Sequence, residues 1–399
     1  MGLQEQSSGE RLHIGFFGLR NVGKSSLVNA VTGQRLSLVS EVKGTTTDPV
    51  RKAMELLPLG PVVIIDTPGL DDEGALGAQR VERAKEMLRT ADAAVLVTDA
   101  TRALLPAEEA LLAQVRALGI PYVIAMNKAD LLTELPPAAP QTRYVSAKTG
   151  DGVFALKEAI AAAVQAGAEK ERGLLDGLVT AGQTVVLVTP IDSAAPKGRL
   201  ILPQQQTLRA LLDLGAAALV TRETELAQTL ALLKAPPDLV ITDSQAFKTV
   251  AAIVPETVPL TSFSILFARY KGDFARLLRG VAALDTLRDG DTVLISEGCT
   301  HHRQCGDIGT EKLPAWVRAY TGKQLQFAFT SGGEFPADPA PYALVIHCGA
   351  CMLTPRALQT RLAAAQAAGV PMTNYGTAIA KMNGILERAT AMLPEAKTE

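Results

Sequence analysis

The 399-residue sequence predicts an α/β protein of three domains, each built on a mainly parallel sheet. Short apolar runs rich in β-branched residues alternate along the chain with longer stretches of helical periodicity. This alternation is typical of parallel sheets with right-handed crossovers. Because the chain is too long for one ordinary domain, we place domains at residues 1–170, 171–270 and 271–399.

The composition supports packed cores and disfavours several classes of partner. Hydrophobic residues make up 47% of the sequence and charged residues 20%. A net charge of −2 and an aromatic content of 4% argue against a nucleic-acid partner. No apolar run approaches the roughly 18 residues that span a bilayer, and Met1 to Glu10 lack the apolar core of a signal peptide. We expect a cytoplasmic protein with no membrane partner, whose cysteines are ligands rather than disulfides.

The first domain opens with an apolar strand, residues 12–17, that runs through a glycine-containing loop into a helical stretch. A loop of this pattern between a strand and a helix surrounds phosphate with backbone N–H groups. We predict that Lys24 contacts the β- and γ-phosphates and is catalytic, and that the Ser25 hydroxyl binds Mg²⁺. The residues predicted to bind nucleotide in this loop are Gly18, Asn21, Val22, Gly23, Lys24, Ser25 and Ser26.

Three later strand ends complete a guanine-nucleotide site. The first ends at Asp66, predicted to act at Mg²⁺, and is followed by Gly69, predicted to contact the γ-phosphate. A carboxylate such as Asp130 can accept both N1–H and N2–H of guanine, whereas adenine has no such pair of donors. The residues predicted to surround the base are Asn127, Lys128, Asp130, Ser146, Ala147 and Lys148. The predicted ligands are therefore GTP or GDP with Mg²⁺.

Residues 10–165 closely resemble the Era- and MnmE-type GTPases, with every guanine-nucleotide motif in order. The resemblance implies a switch segment at 44–48, in which we assign Thr46 to Mg²⁺ and to catalysis. It also implies that Asn21 helps to hold a K⁺ ion near the phosphates. Leu70 stands where Ras-like proteins keep a water-orienting glutamine, so we expect slow hydrolysis. From Asn21 we expect stimulation by K⁺ and little stimulation by Na⁺.

The middle domain alternates strands and helices without a metal-binding or phosphate-binding motif. Asp192, Asp243 and Ser244 close predicted strands and could contact a ligand, and of the two roles we favour loop or cap residues. The helical stretch from Leu208 to Ala216 is apolar over a wide arc and needs a second covering surface. Both a dimer interface and an intrachain core meet that need.

All four cysteines lie in or beside two strand ends of the last domain. One strand leads to Cys299, and the other leads to Cys348 and Cys351. Ligands of open parallel sheets bind beyond the carboxyl ends of the strands, so we expect these thiols to converge on one metal centre. Cys305 is an additional thiol, which would either compete as a fourth ligand or take no part in the site.

Two histidines accompany these thiols, in the order Cys299-x-His301 and His347-Cys348-x-x-Cys351. We expect each histidine either to supply a fourth ligand, to support the ligands from behind, or to be structural. Three thiolates and an imidazole are also a common set for Zn²⁺.

This pair of motifs is the marker of the HydF family, and residues 10–395 resemble that family along their whole length. The resemblance implies a P-loop GTPase domain followed by two α/β domains with mainly parallel sheets, for dimerisation and cluster binding. It implies a homodimer with a [4Fe–4S] cluster on Cys299, Cys348 and Cys351. It further implies a scaffold and carrier for the diiron subcluster precursor, which the radical-SAM enzymes HydE and HydG make and the hydrogenase HydA receives.

Two alternatives come from other functional classes. One is a GTPase of ribosome or tRNA biogenesis with a zinc-binding accessory domain. The other is a redox enzyme that uses a cluster for electron transfer, which the lack of a second cluster motif or flavin motif disfavours.

Overall fold

The computed structural model describes residues 8–33, 50–67, 84, 86–167, 173–191, 200–299 and 307–397. The chain forms two compact units, Met1–Glu171 and Arg172–Glu399. Within the described ranges no helix is long and apolar enough to cross a membrane. The predicted division of the second unit near residue 270 stays a prediction.

The first unit is built on a six-stranded sheet whose order is β2-β3-β1-β4-β5-β6. Its strands are β1 (Leu12–Phe17), β2 (Val50–Leu56), β3 (Gly60–Asp66), β4 (Ala93–Asp99), β5 (Tyr122–Asn127) and β6 (Thr142–Tyr144). Only the pairing of β2 with β3 is antiparallel. The order places β1, which leads into the phosphate loop, at the centre between β3 and β4.

Helices cover both faces of this sheet, which is why its central strands are apolar almost throughout. The helices with described bounds are α1 (Lys24–Thr32), α2 (Pro106–Ala117) and α3 (Val153–Gly167). One core packs Val28 and Ile160 against one face of the sheet, and a second packs Leu88 and Leu112 against the other.

The second unit contains two four-stranded sheets that are parallel throughout. Their strands are β7 (Thr184–Val188), β8 (Ala217–Thr221), β9 (Leu239–Thr242), β10 (Leu260–Ser262), β11 (Thr292–Ser296), β12 (Gln326–Thr330), β13 (Leu344–His347) and β14 (Met372–Asn374). The strand orders are β10-β9-β7-β8 and β12-β11-β13-β14. In each sheet the first strand therefore lies between the second and the third, and both sheets share one topology.

The helices of the second unit connect these strands and fill the space between them. They are α4 (Leu202–Asp213), α5 (Leu226–Ala231), α6 (Phe247–Ile253), α7 (Phe263–Lys271), α8 (Phe274–Gly280), α9 (Leu313–Thr321), α10 (Pro355–Ala367), α11 (Tyr375–Met382) and α12 (Leu386–Thr390). A single hydrophobic core includes residues from both sheets, such as Val240 of β9 and Ile295 of β11.

The shared topology gives corresponding positions at the carboxyl ends of the two sheets. Val188 at the end of β7 pairs with Thr242, and Ser296 at the end of β11 pairs with His347. The next residue along the chain is Asp243 in the first sheet and Cys348 in the second. The two sheets therefore differ in chemistry at the same structural position.

Two helices of the second unit end at or next to a glycine. The chain leaves the α conformation of α8 after Gly280, where a Cβ would lie 2.0 Å from the carbonyl oxygen of Met372. Between α11 and α12 the chain turns at Gly384, whose φ of 71° is left-handed. Glycine tolerates both the close approach and the left-handed turn.

Candidate functional site

The phosphate loop lies between β1 and α1, where the backbone turns sharply. Asn21 and Gly23 have φ angles of 60° and 84°. At Gly18 a Cβ would lie 2.3 Å from the carbonyl oxygen of Val97 in β4, so a larger residue would displace that strand. This close approach places the loop at the N-terminus of α1, where backbone N–H groups are free to bind phosphate.

Three of the residues predicted to act on phosphate and Mg²⁺ meet beside this loop. The ammonium group of Lys24 makes an ion pair with Asp66 Oδ1, and Ser25 Oγ donates to Asp66 Oδ2 over 2.8 Å. Asp66 ends β3, the direct neighbour of β1. Because a phosphate and a divalent cation attract the same side chains, nucleotide with Mg²⁺ would compete for this ion pair.

Asn127 connects the phosphate loop to the loops predicted to bind the base. Its Nδ2 donates to the carbonyl oxygen of Val22 over 2.9 Å. Its Oδ1 accepts from the backbone N–H of Ala147 over 3.0 Å. The side chain is only 2% exposed, so these bonds tie together two parts of the site that are far apart in sequence.

The carboxylate of Asp130, predicted to select guanine, is exposed and is oriented from behind. The buried hydroxyl of Ser146 donates to Asp130 Oδ1 over 2.7 Å and accepts from the N–H of Thr149 over 3.1 Å. Lys148, which is also predicted to surround the base, is exposed as well. Ser146 is therefore a positioning residue for the carboxylate.

Lys128 takes a left-handed backbone conformation, with φ of 65°, and extends toward Asp99 at the end of β4. Its ammonium group donates to Asp99 Oδ2 over 2.6 Å. Burial opposes ionisation of Asp99, but hydrogen bonds from Lys128 and Thr101 outweigh it and lower its pKa to about 2. The pair fixes the stem of Lys128 at the mouth of the base site.

Replacing Ser146 by alanine is expected to raise KM for GTP about five- to tenfold while leaving kcat near the wild-type value. Because the Asp130 carboxylate is exposed to water, the loss of this orienting hydrogen bond costs about 1–1.5 kcal/mol, as for an ordinary neutral hydrogen bond, and leaves Asp130 less well oriented for the base. Steady-state hydrolysis measures this change. The matched control is Thr149→Val, which removes a hydroxyl that donates to Asp151 instead; equal effects of the two variants would contradict the prediction.

Some predicted residues of the nucleotide site lie outside the described residues. These are the switch segment 44–48 with Thr46, Gly69, and Leu70. Their roles stay predictions. Among the described ones, Val22 is buried beneath the loop and Ser26 lies in the first turn of α1.

The two strands predicted to carry the thiols are direct neighbours in the second sheet of the second unit. β11 and β13 pair in parallel, with Ser296 opposite His347. Beyond these ends the backbone N–H of Gly298 donates to Cys348 Sγ over 3.1 Å, and that of Ala350 donates to the same sulfur over 3.4 Å. The sheet thus brings the Cys299 segment to the Cys348 sulfur.

Each of the three thiols is half-buried and has a raised pKa. Burial is the largest cause at each thiol, and all causes together bring the pKa of Cys351 to about 12. Charge repulsion from Cys348 raises the pKa of both Cys299 and Cys351 further. Half-buried thiolates that repel one another need a compensating cation, which a metal centre supplies.

The chemical type of these donors suits a metal centre, whereas the distances between them in the described residues do not yet form one. Soft sulfurs that also accept backbone N–H bonds are typical ligands of iron–sulfur clusters and zinc. In the described ranges, however, no three His, Cys, Asp or Glu side chains are close enough to hold a metal ion. Repulsion between thiolates acts over longer distances than a metal–sulfur bond, so the thiols can influence one another's pKa without being close enough to share a metal ion. His301 and Cys305 lie outside the described residues.

His347 is fully buried, and both of its ring nitrogens have partners. Arg361 Nη1 donates to Nε2 over 2.9 Å, and Nδ1 lies 2.8 Å from the carbonyl oxygen of Cys348. Because burial and the Arg361 charge lower its pKa to about 3, the ring is neutral. Arginine only donates, so Nε2 accepts and the proton is on Nδ1. In this arrangement His347 supports the Cys348 backbone; metal ligation would require the Arg361 contact to break.

Two buried cations beside the thiols were missed from sequence. The ammonium group of Lys271 donates to the carbonyl oxygens of Cys351 and Leu353 over 2.9 and 2.6 Å. Arg361 is 4% exposed and sits in α10 between the buried Leu358 and Leu362. The sequence signal that could have identified Arg361 is a charged residue on the apolar face of a helix, which indicates a buried charge.

The N-terminal part of the chain is similar to curated and structurally known GTPases. A family model described as a 50S ribosome-binding GTPase matches residues 13–128. The tRNA modification GTPase MnmE of Nitrosospira multiformis is 34% identical over 158 residues, covering 38% of this chain and 34% of that protein. The MnmE protein of Methylococcus capsulatus is 39% identical over 149 residues, covering 36% and 32%. The chain thus spans about a third of the length of these relatives.

Solved structures of GTP-binding proteins are similar to part of this chain. A probable GTP-binding protein engB is 26% identical with a TM-score of 0.31, covering 39% of this chain and 99% of that one. An Era variant of Aquifex aeolicus is 19% identical with a TM-score of 0.35, covering 56% and 98%.

The fold and the nucleotide site define a protein with an N-terminal P-loop GTPase domain followed by further α/β domains. The rest of the chain narrows this class. A model described as the hydrogen maturase F dimerization domain matches residues 174–272, and one described as the hydrogen maturase F tetramerization domain matches residues 275–392. The chain belongs to the HydF family.

Proposed function

We propose that the protein is a GTP-hydrolysing maturation factor that carries a [4Fe–4S] cluster and a diiron subcluster precursor for the active site of [FeFe]-hydrogenase. One observation carries the proposal: in a member of the HydF family, the Cys299 segment meets Cys348 at neighbouring strand ends, with Cys351 close by. Cys299, Cys348 and Cys351 would hold the cluster. A cluster on three thiolates has one iron that can bind a further group, which suits a carrier.

The partners follow from the same family membership. The maturases HydE and HydG would supply the precursor, the hydrogenase HydA would receive it, and the protein would act as an oligomer. The nucleotide state would change affinity for these partners through the switch segment 44–48. A tenfold change in affinity requires only about 1.4 kcal/mol of coupling.

The test is the metal content of protein purified without oxygen. The proposal predicts brown protein with about four irons per chain that also hydrolyses GTP. The alternative, a GTPase of ribosome or tRNA biogenesis with a zinc-binding domain, is favoured by the MnmE relatives. It predicts colourless protein with one zinc per chain, a result that would exclude the cluster.

We also propose that hydrolysis is slow and depends on K⁺. Asn21 is exposed in the phosphate loop, where its amide oxygen is available to a monovalent cation. A cation there would stabilise the negative charge that develops on the phosphates during hydrolysis. We expect the rate to be several times higher in K⁺ than in Na⁺ at equal ionic strength, and Asn21→Ala to remove the difference. Equal wild-type rates in the two salts would exclude this role.

A further inference from the structure

Arg361 is a buried cation whose contacts are all neutral in the described part of the chain. Its Nη1 donates to His347 Nε2 over 2.9 Å and to Ser296 Oγ over 3.2 Å. Its Nη2 donates to the carbonyl oxygen of Gly332 over 2.5 Å, and its guanidinium lies 5.4 Å from the ring centre of Phe335. The side chain is thus held rigidly without a carboxylate.

A buried charge without an opposite charge is costly, so its retention calls for an anion nearby. The thiols at the neighbouring strand ends supply it when they are ionised, and two partners of Arg361 bond directly to the segments that carry them. The carbonyl oxygen of Ser296 accepts from the Cys348 N–H over 2.9 Å, and the Gly332 N–H donates to the carbonyl oxygen of Cys299 over 3.2 Å.

A second chain of contacts connects Arg361 to the thiol through the backbone. Because Arg361 occupies Nε2 of His347, the ring must present its Nδ1–H to the carbonyl oxygen of Cys348, 2.8 Å away. This orients the peptide that leads into the turn carrying Cys348 and Cys351. In that turn Ala350 takes a φ of 58° and directs its N–H to Cys348 Sγ.

The corresponding position in the other sheet of this unit lacks the arrangement. There the strand end is Thr242, followed by Asp243, whose carboxylate accepts from Gln204 Nε2 over 2.9 Å. The imidazole and the thiol thus occur in only one of two sheets with the same topology. Because the other sheet packs in the same topology without an imidazole and a thiol, packing alone does not require these two side chains. We therefore assign both to the thiol site.

We propose that Arg361 is the counter-charge and positioning residue of the thiol site: it sets the His347 tautomer that holds the Cys348 peptide, and its charge offsets that of the thiolates and of the cluster they bind. Net charge near an iron–sulfur cluster sets its reduction potential, so Arg361 favours the reduced cluster. The positioning half concerns the protein alone, whereas the charge half rests on the proposed cluster.

The positioning half is tested on metal-free wild-type protein by the ¹⁵N shifts of its imidazoles. The chain has four histidines, and a His347→Gln variant assigns the signals of His347. We expect a single neutral tautomer with the proton on Nδ1. A proton on Nε2 would overturn the inference whether or not the protein ever binds iron.

The charge half is tested by redox titration of cluster-loaded protein. In Arg361→Met the ratio of reduced to oxidised cluster at a fixed potential should fall at least tenfold, equal to about 59 mV for one electron. Arg361→Lys retains a positive charge and should restore most of the wild-type ratio. The control is Arg269→Met, which removes an equally buried arginine that is paired with Glu395.

The outcomes separate this inference from the proposed function. An unchanged potential in Arg361→Met, a Lys variant as altered as the Met variant, or the same change in the Arg269→Met control would overturn the counter-charge. Should Arg361→Met fail to fold, the reduction potential of Arg361→Lys and the His347 tautomer of the wild type still test the inference. Wild-type protein without iron would instead contradict the proposed function and leave the tautomer measurement valid.

Discussion

Replacing Asp130 by asparagine is expected to lower kcat/KM for GTP by about a hundredfold or more. The carboxylate is exposed and oriented by Ser146, in position to accept two donors from guanine. Each hydrogen bond to a charged group is worth about 1.5–2 kcal/mol, and every 1.4 kcal/mol is a factor of ten. Steady-state hydrolysis with GTP measures the loss.

The same variant is expected to gain activity on xanthosine triphosphate. Xanthine replaces the amino group of guanine by a carbonyl, so it offers one donor and one acceptor to a carboxamide. A site made for one hydrogen-bond pattern discriminates strongly against the other. Asp151→Asn, the same change at an exposed carboxylate that accepts from Thr149, is the control and should leave the preference for GTP intact. A variant at Asp130 that still prefers GTP would show that the carboxylate does not select the base.

Replacing Cys348 by alanine is expected to reduce iron from about four per chain to less than one. This thiol is half-buried and accepts N–H bonds from both cysteine-bearing segments, so it is central to the predicted ligand set. Iron and sulfide analysis of anaerobically purified protein measures the loss. Cys348→Ser keeps the size of the side chain but replaces a soft sulfur by a hard oxygen, and it should lose iron as well.

A serine variant that kept its full iron content would mean that Cys348 fills space rather than binding metal. GTP hydrolysis serves as the internal reference in both variants. The nucleotide site belongs to the first compact unit and the thiols to the second. We expect basal hydrolysis to stay near the wild-type rate, which would show that the first unit is intact and that the effect of the substitution is confined to the second.

The arrangement of the residues predicted to bind nucleotide follows largely from local signals in the sequence. A strand, a turn and a helix within one short stretch define the position of Lys24 and Ser25. The strand that ends at Asp66 is apolar up to the residue before it. That Asp66 pairs with Lys24 depends on β3 lying beside β1. The hydrogen bond from Ser146 to Asp130 likewise depends on how two loops meet, which no local pattern encodes.

The thiol site was predictable in outline and not in detail. Strand ends carrying Cys299 and Cys348 were expected to converge, and the pairing of β11 with β13 brings the two segments together. The role of His347 was left open between ligand, support and structure. Its orientation is decided by Arg361, which reaches it from α10, and the packing of that helix is a tertiary property.

The most direct test of the account is EPR of the reduced protein with Cys299→Ala, Cys348→Ala, Cys351→Ala and Cys305→Ala measured in parallel. The account predicts the signal of a reduced [4Fe–4S] cluster in the wild type. That signal should be lost or replaced in each of the first three variants and retained in Cys305→Ala. A wild-type signal that survives unchanged in Cys299→Ala would contradict the claim that thiols from the two neighbouring strand ends hold one cluster.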